Sequence, residues 1–285
     1  MNMKFTDQSL PYLIYDWNLN LNHEVFYNHL SQDDAGVFES IRTYGDCFFR
    51  MDDHLERLKE SAKTSDLALP KSLDEIKKKS VEALRKYREA IKEEFNDVFM
   101  RLTVWGDQIF FILGHKKHAE NLYQKGVVLK TTVVRRPFTN AGAPQIKTHG
   151  YQAGVWAAIQ PREDTYEWLF LDTQGYVAEV SIGNLFMVKK NVLMTPPARG
   201  ILDGVTRRFV LECAFRMKLQ VKEIPLTRHE VFNADEVFLT NTSWELMPVS
   251  EVDRRIIGQV MPGVLTQAIH QEFKKEVQKE CQIQK

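Results

Sequence analysis

The chain has 285 residues, 44% hydrophobic and 27% charged, ordinary values for a globular protein with room for two domains. Lysine plus arginine balances aspartate plus glutamate, 38 against 38, so no global field argues for nucleic acid or an anionic membrane as partner. The N terminus lacks the apolar core of a signal peptide, and no run of about 18 apolar residues reads as a membrane span.

Strand and helix signals alternate through the N-terminal third. Gly36 to Tyr44 alternates with strand period, Gly45-Asp46 turns, and Cys47 to Met51 continues as a second strand. Asp52 or Asp53 is placed to cap a helix that carries Leu55, Leu58 and Ala62 on one face. Ser72-Leu73-Asp74-Glu75 is a capping-box pattern and opens a longer amphipathic helix through Ile76, Val81, Leu84 and Tyr87. Val98 to Trp105 and Gln108 to Leu113 read as a hairpin around Gly106-Asp107. The charged stretch His115 to Glu120 interrupts the pattern. It marks a small α/β domain over 1–120, a linker over 121–125 and a larger domain over 126–285.

The second part opens on a strand from Gly126 to Val134. A loop rich in Pro, Gly and Asn, 137–144, leads to Lys147, and Tyr151 to Ile159 is apolar enough for a buried helix. Glu167 to Asp172 pairs with Tyr176 to Val180, and Leu185 to Val188 pairs with Val192 to Thr195. Gly204 starts a helix with Phe209, Val210, Cys213, Ala214 and Met217 on its core face. The expected fold class is α/β (α+β), two domains with mixed sheets. Cys47, Cys213 and Cys281 are scattered and lack metal-ligand spacing, which predicts buried thiols in a reducing cytoplasm and no metal site.

Three features carry chemistry. Lys147 follows a constrained Pro-Gln-Ile and precedes an apolar stretch, a setting that favours a desolvated, reactive amine over the solvated surface lysine of first expectation. Glu179 lies on a strand, where it either faces outward or supports a buried base. Gly204-Val205-Thr206 at a helix start offers the N–H groups of Val205 and Thr206 to an anion. Arg57 in His54-Leu55-Glu56-Arg57-Leu58 reads by itself as an exposed helix arginine, and Thr242-Ser243 after a strand as an ordinary turn. Arg101 interrupts an apolar strand, either to pair with a neighbouring strand or to capture a carboxylate.

In order and type, Arg57, Lys147, Glu179-x4-Asn184-Leu185-Phe186, Gly204-Val205-Thr206 and Thr242 resemble the fold-type IV pyridoxal phosphate enzymes. These are the class IV aminotransferases, which include branched-chain and D-amino acid aminotransferases and aminodeoxychorismate lyases. The resemblance runs from about Gly36 to Val249 and implies pyridoxal 5'-phosphate as cofactor. It implies that Lys147 forms the Schiff base and carries protons, that Glu179 keeps the ring nitrogen protonated, and that Arg57, Val205, Thr206 and Thr242 hold the phosphate. Asn184 is expected to support the loop. On the substrate side the resemblance implies Phe38, Arg101, Tyr151 and Ser243. It also implies a D-amino acid aminotransferase-like fold, with a cofactor cleft between a small N-terminal and a larger C-terminal domain, and a homodimer.

The departures fall on the substrate side. Ser31 to Gly36 lacks the aromatic residue and Gly-Asp-Gly of many relatives. Trp105, Asp107 and Ile109 do not supply the carboxylate trap of the D-amino acid enzymes, and Glu39 stands where lyase members often have Thr. The expectation is a cytoplasmic transaminase acting between an amino acid, branched-chain type favoured, and a 2-oxo acid. The alternatives are a pyruvate-eliminating aminodeoxychorismate lyase or a non-catalytic protein on the same scaffold.

Overall fold

A computed structural model describes residues 12–22, 36–91, 96–136, 145–148 and 164–283. Among these, the N-terminal strands β1 (Leu13–Tyr15), β2 (Val37–Tyr44), β3 (Cys47–Phe48), β4 (Phe99–Trp105) and β5 (Gln108–Gly114) form one sheet in the order β1-β5-β4-β2-β3. Its pairings are antiparallel. The helices α1 (Met51–Thr64) and α2 (Leu73–Ala90) cover the face that carries Ile41, Met100 and Leu102, with Leu55, Leu58, Ile76, Leu84 and Tyr87 buried against it.

Local signals were mostly obeyed. The Ser72–Glu75 capping box forms, with Glu75 N–H donating to Ser72 Oγ and Glu75 accepting from the Ser72 N–H. Two expectations are corrected. Val81 is 55% exposed, because it sits five residues from Ile76 and so turns about 140° away from that residue's face. Helix α1 is preceded not by an aspartate cap but by Arg50 at φ 52°, with Asp52 and Asp53 in the first turn. The Arg50 guanidinium donates to Glu212 at 2.6 Å and Glu280 at 2.7 Å.

The second sheet contains β6 (Val127–Arg136), β7 (Glu167–Asp172), β8 (Val177–Val180), β9 (Asn184–Lys189), β10 (Val192–Thr195), β11 (Gln220–Glu223), β12 (Glu236–Asn241) and β13 (Glu245–Val252). They run in the order β11-β10-β9-β12-β13-β6-β7-β8, with β14 (Arg255–Ile256) beside β13. Parallel and antiparallel pairings are mixed here. A bridge between Val180 and Gly183 brings the end of β8 back to β9 and curls the sheet upon itself. Leu129, Leu169, Leu185, Met187, Leu239 and Met247 fill one side. On the other, Phe186 and Phe238 pack beneath α4 (Val205–Arg216) and α6 (Val264–Ile283), which bring Phe209 and Phe273 into edge contact. A short helix, α3 (Glu120–Lys125), falls on the stretch between the two sheets, and another, α5 (Arg228–Phe232), lies between β11 and β12.

The cysteines overturn one expectation. Cys47 on β3 and Cys281 on α6 are joined in a disulfide with their Cα atoms 5.5 Å apart, while Cys213 is a buried free thiol. The pair is separated by 234 residues, so only the docking of α6 beside the first sheet reveals it. No helix among the described residues is long and apolar enough to cross a membrane, and no metal-ligating cluster occurs among them. The predicted loop over 137–144 and the predicted helix from Tyr151 to Ile159 lie outside the described residues.

Candidate active site

The site is built where the turn before α4 meets α1 and the end of β8. Glu179, buried on β8, accepts from the Leu202 N–H at 3.2 Å and from Asn184 Nδ2 at 3.3 Å, and pairs with Arg136 at the end of β6. Asn184 also donates to the Leu202 carbonyl at 2.8 Å, so it fixes the turn and the carboxylate together. One residue on, the Asp203 carbonyl accepts from Arg57 Nη1 at 2.9 Å. The adjacent pair Leu202-Asp203 thereby ties the Glu179 carboxylate to the Arg57 guanidinium.

Arg57 is buried on α1 rather than exposed, as its helix position alone would suggest. Its Nε and Nη2 donate to the two oxygens of Glu39 at 2.7 Å each, and His54 Nδ1 lies 2.8 Å from the same carboxylate. Burial pushes the Glu39 carboxyl up, but Arg57 and His54 more than offset it and hold the group well below the usual carboxylate range. Burial likewise opposes the Arg57 charge, and Glu39 restores it and raises its pKa. His54 is driven down, chiefly by burial, and its proton is retained on the nitrogen facing Glu39.

Lys147 reaches this cluster from the opposite side. Its carbonyl accepts from the Phe38 N–H at 3.0 Å, its N–H donates to Ser61 Oγ at 3.2 Å, and Thr148 bridges to Val37. These contacts dock residues 147–148 on the start of β2 above α1. The ammonium lies 4.9 Å from the Phe38 ring centroid. Burial first, and then the positive charges of Arg57, Arg101 and Lys116, outweigh the attraction of Glu39 and bring the Lys147 pKa down to about 7. An amine in this setting is about half unprotonated at pH 7, far more than an ordinary lysine, and so can act as a nucleophile near neutral pH.

Gly204 precedes α4 without a side-chain cap. A Cβ there would meet Asn184 Oδ1 at 2.3 Å, so only glycine lets this turn approach Asn184. Val205 and Thr206, both buried, open the helix, and with Thr242, Asn241, His54 and Arg42 they line a narrow cavity. A helix N terminus facing a cavity beside an arginine is suited to an anion. Asn241 Oδ1 accepts from the Ser243 and Trp244 N–H groups at 2.8 and 3.0 Å and shapes the Thr242-Ser243 loop, whose Ser243 carbonyl accepts from Arg42.

On the substrate side Phe38 and Arg101 share one face, where the Arg101 guanidinium stacks 3.9 Å from the Phe38 ring centroid. Burial lowers the Arg101 pKa to about 10. Tyr151 lies outside the described residues. The structure thus brings Arg57, Lys147, Glu39 and Phe38 together, and joins Glu179 to them through Leu202-Asp203. Sequence reasoning missed Arg136, Glu39 as the partner of Arg57, and Lys116. Arg136 ends a strand and carried no local signal, since only the pairing of β6 with β7 and of β7 with β8 sets it against Glu179.

Comparison with known proteins shows the family. The model of the amino-transferase class IV family matches residues 36–252. The branched-chain-amino-acid aminotransferase of Pseudomonas aeruginosa is 31% identical over 274 residues, covering 89% of this chain and 85% of its own length. That of Escherichia coli K12 is 29% identical over 270 residues, covering 86% and 85%. The crystal structure of a T.th. branched-chain amino acid aminotransferase with pyridoxamine 5'-phosphate superimposes with a TM-score of 0.83 at 26% identity, covering 95% of each chain. The same enzyme has also been solved with N-(5'-phosphopyridoxyl)-L-glutamate and with 4-methylvaleric acid. The chain belongs to the class IV aminotransferase family.

Proposed function

We propose that the protein transfers an amino group between a branched-chain type amino acid and a 2-oxo acid, with pyridoxal 5'-phosphate as cofactor. The observation that carries this reading is the depressed pKa of Lys147 beside Arg57, whose Asp203 partner adjoins the Leu202 amide bound to Glu179. The donor set suits the cofactor group by group. Arg57, the Val205 and Thr206 N–H groups and the Thr242 hydroxyl would hold a phosphate; Glu179 would hold the ring nitrogen; Lys147 would hold the aldehyde carbon. When bound, the cofactor supplies a carbonyl that links to amines and a protonated ring that accepts electrons.

The chain's own residues do the rest. Lys147 Nζ, about half neutral at pH 7 and more so above, would hold the cofactor's aldehyde carbon and would carry the proton at the substrate α-carbon. Glu179, its oxygens already oriented by Arg136, Asn184 and Leu202, retains lone pairs to hold a proton on the ring nitrogen. Phe38 excludes water from the Lys147 side, while Arg101, the Ser243 region and Tyr151 orient the substrate. The cleft of this reading lies between a small domain, 1–120, and a larger one, 126–285, joined by 121–125, in a homodimer.

Purified protein supplied with pyridoxal 5'-phosphate and L-leucine should transfer the amine to 2-oxoglutarate, detected as glutamate. Formation of pyruvate from a chorismate-derived substrate instead would replace this reading with the lyase. Sedimentation of the active enzyme as a monomer would remove the dimer.

A further inference from the structure

The loop from Thr242 to Trp244 is held more firmly than its length demands. It joins β12 to β13, where Asn241 pairs with Glu245. Asn241 Oδ1 closes it from within, accepting from the Ser243 and Trp244 N–H groups and from the Ser243 hydroxyl. An ordinary turn needs no more than that. Here two of its carbonyls are also tied to other elements. Ser243 accepts from Arg42 on β2 at 3.2 Å, and Trp244 accepts from the Tyr123 hydroxyl on α3 at 3.1 Å.

Glu245, which ends the loop, has φ 59°, in the left-handed region that favours glycine or asparagine. For a residue with a Cβ that backbone costs about 1–2 kcal/mol, so its surroundings must hold it. Its buried carboxylate accepts from the Tyr44 hydroxyl at 2.8 Å and lies 2.7 Å from His270 Nε2 on α6. Arg42 Nη1 stands 3.2 Å from the same carboxylate, and Asp97 anchors the other end of that guanidinium. One nitrogen, Arg42 Nη1, thus faces Glu245 and the Ser243 carbonyl together. Burial pushes the Glu245 carboxyl up, but His270 and Arg42 prevail and keep it ionised at neutral pH.

The far side of the loop shows what this framework serves. Half-buried Thr242 lines the narrow cavity with Val205 and Thr206 from the start of α4. Among the described residues Glu245 is not part of that lining. We propose that Glu245 is a positioning residue for the anion end of the site: through Arg42 and through its own backbone it sets the Thr242 hydroxyl toward the cofactor phosphate. Charge is what the task requires, because only a carboxylate draws the guanidinium onto the loop while holding the left-handed turn. The inference rests on the aminotransferase reading above.

The test compares pyridoxal 5'-phosphate with pyridoxal, which share the ring and the aldehyde and differ in the phosphate. Absorbance titration of the whole chain, freed of ligand, gives both affinities, and their ratio isolates the anion end. Glu245→Gln removes the charge with little change of shape and should shift the ratio against the phosphorylated form by about tenfold, the loss of one hydrogen bond to a charged group. Asp97→Asn leaves Glu245 in place and frees only the far end of Arg42, so it should shift the ratio the same way by about threefold. It carries the test if Glu245→Gln does not fold. An unmoved ratio in a folded variant overturns the proposal. So does an equal weakening of both ligands, the mark of a residue that only joins the two sheets. A wild-type protein that binds neither ligand and transfers no amine from leucine would instead overturn the aminotransferase reading beneath it.

Discussion

The two flanks of the site balance their charges in different ways. On the flank made by α1, the Gly204 turn and β8, buried cations face buried carboxylates: Arg57 on Glu39, and Arg136 on Glu179. On the flank made by β2, β4 and the segment after β5, Lys147, Arg101 and Lys116 gather, and rings face them: Phe38 and Phe99. The first arrangement fixes groups in one geometry, because each partner would be costly to leave alone. The second keeps a region in which an arriving anion gains more than it would in water, and in which like charges push a lysine toward its neutral form. A ligand that stays belongs on the first flank, and one that comes and goes belongs on the second.

The largest test of this contrast removes the reactive amine. Lys147→Met should lower kcat/KM for leucine by at least about 10³-fold, since it removes both the nucleophile and the proton carrier. Retained turnover would show that the cation flank does no chemistry. On the balanced flank, Glu179→Gln takes a carboxylate from a buried guanidinium and should destabilise the ligand-free protein by about 3–5 kcal/mol in urea unfolding. A loss below about 1 kcal/mol would mean that the pairing with Arg136 is not what orders that flank.

The same Lys147→Met variant should act oppositely on stability. The folded Lys147 pKa of about 7 lies below its ordinary value of 10.5, so the unfolded chain binds more protons between those two values. The charged lysine therefore costs stability in full below about pH 7, and the cost fades as pH rises toward 10.5. Ligand-free Lys147→Met should unfold at higher urea than wild type at pH 6, with the gap narrowing steadily toward pH 10. A gap that widened with pH would mean that Lys147 is stabilised as a cation, and the depressed pKa would be wrong.

Several candidate residues on both flanks were legible because their signals are local. Lys147 after Pro-Gln-Ile, Glu179 ahead of Asn184 and Gly204 before a helix each stand out within a few residues. The capping box at Ser72 and the hairpin turning at Gly106 are local as well, and they formed as expected. What escaped depended on distant parts of the chain. Arg136 becomes a partner of Glu179 only through the register of β6, β7 and β8. Cys47 finds Cys281 only once α6 docks. Lys116 sits in a charged run that reads as a boundary, and its contact with the Phe99 ring is visible only when that run folds back. Arg50 stands before α1 in place of an aspartate cap, and its partners Glu212 and Glu280 lie far along the sequence.

The smallest expected effect lies between the flanks. Tyr44 on β2 donates its hydroxyl to Glu245 at 2.8 Å; Glu245 also pairs with His270 at 2.7 Å and with Arg42 at 3.2 Å, and Arg42 holds the Ser243 carbonyl. Burial raises the Glu245 carboxyl, but His270 and Arg42 prevail and bring its pKa down to about 2. This carboxylate joins the first sheet to the second beneath the Thr242-Ser243 loop and has Arg42 and His270 as partners besides Tyr44. Tyr44→Phe should therefore cost only about 0.5–1.5 kcal/mol, the value of one net hydrogen bond, with the remaining donors still satisfying Glu245. Urea midpoints measure it. A loss of about 3 kcal/mol would show that the tyrosine, rather than the charges, holds Glu245 in place, and charge balance would then no longer explain how the two sheets are joined.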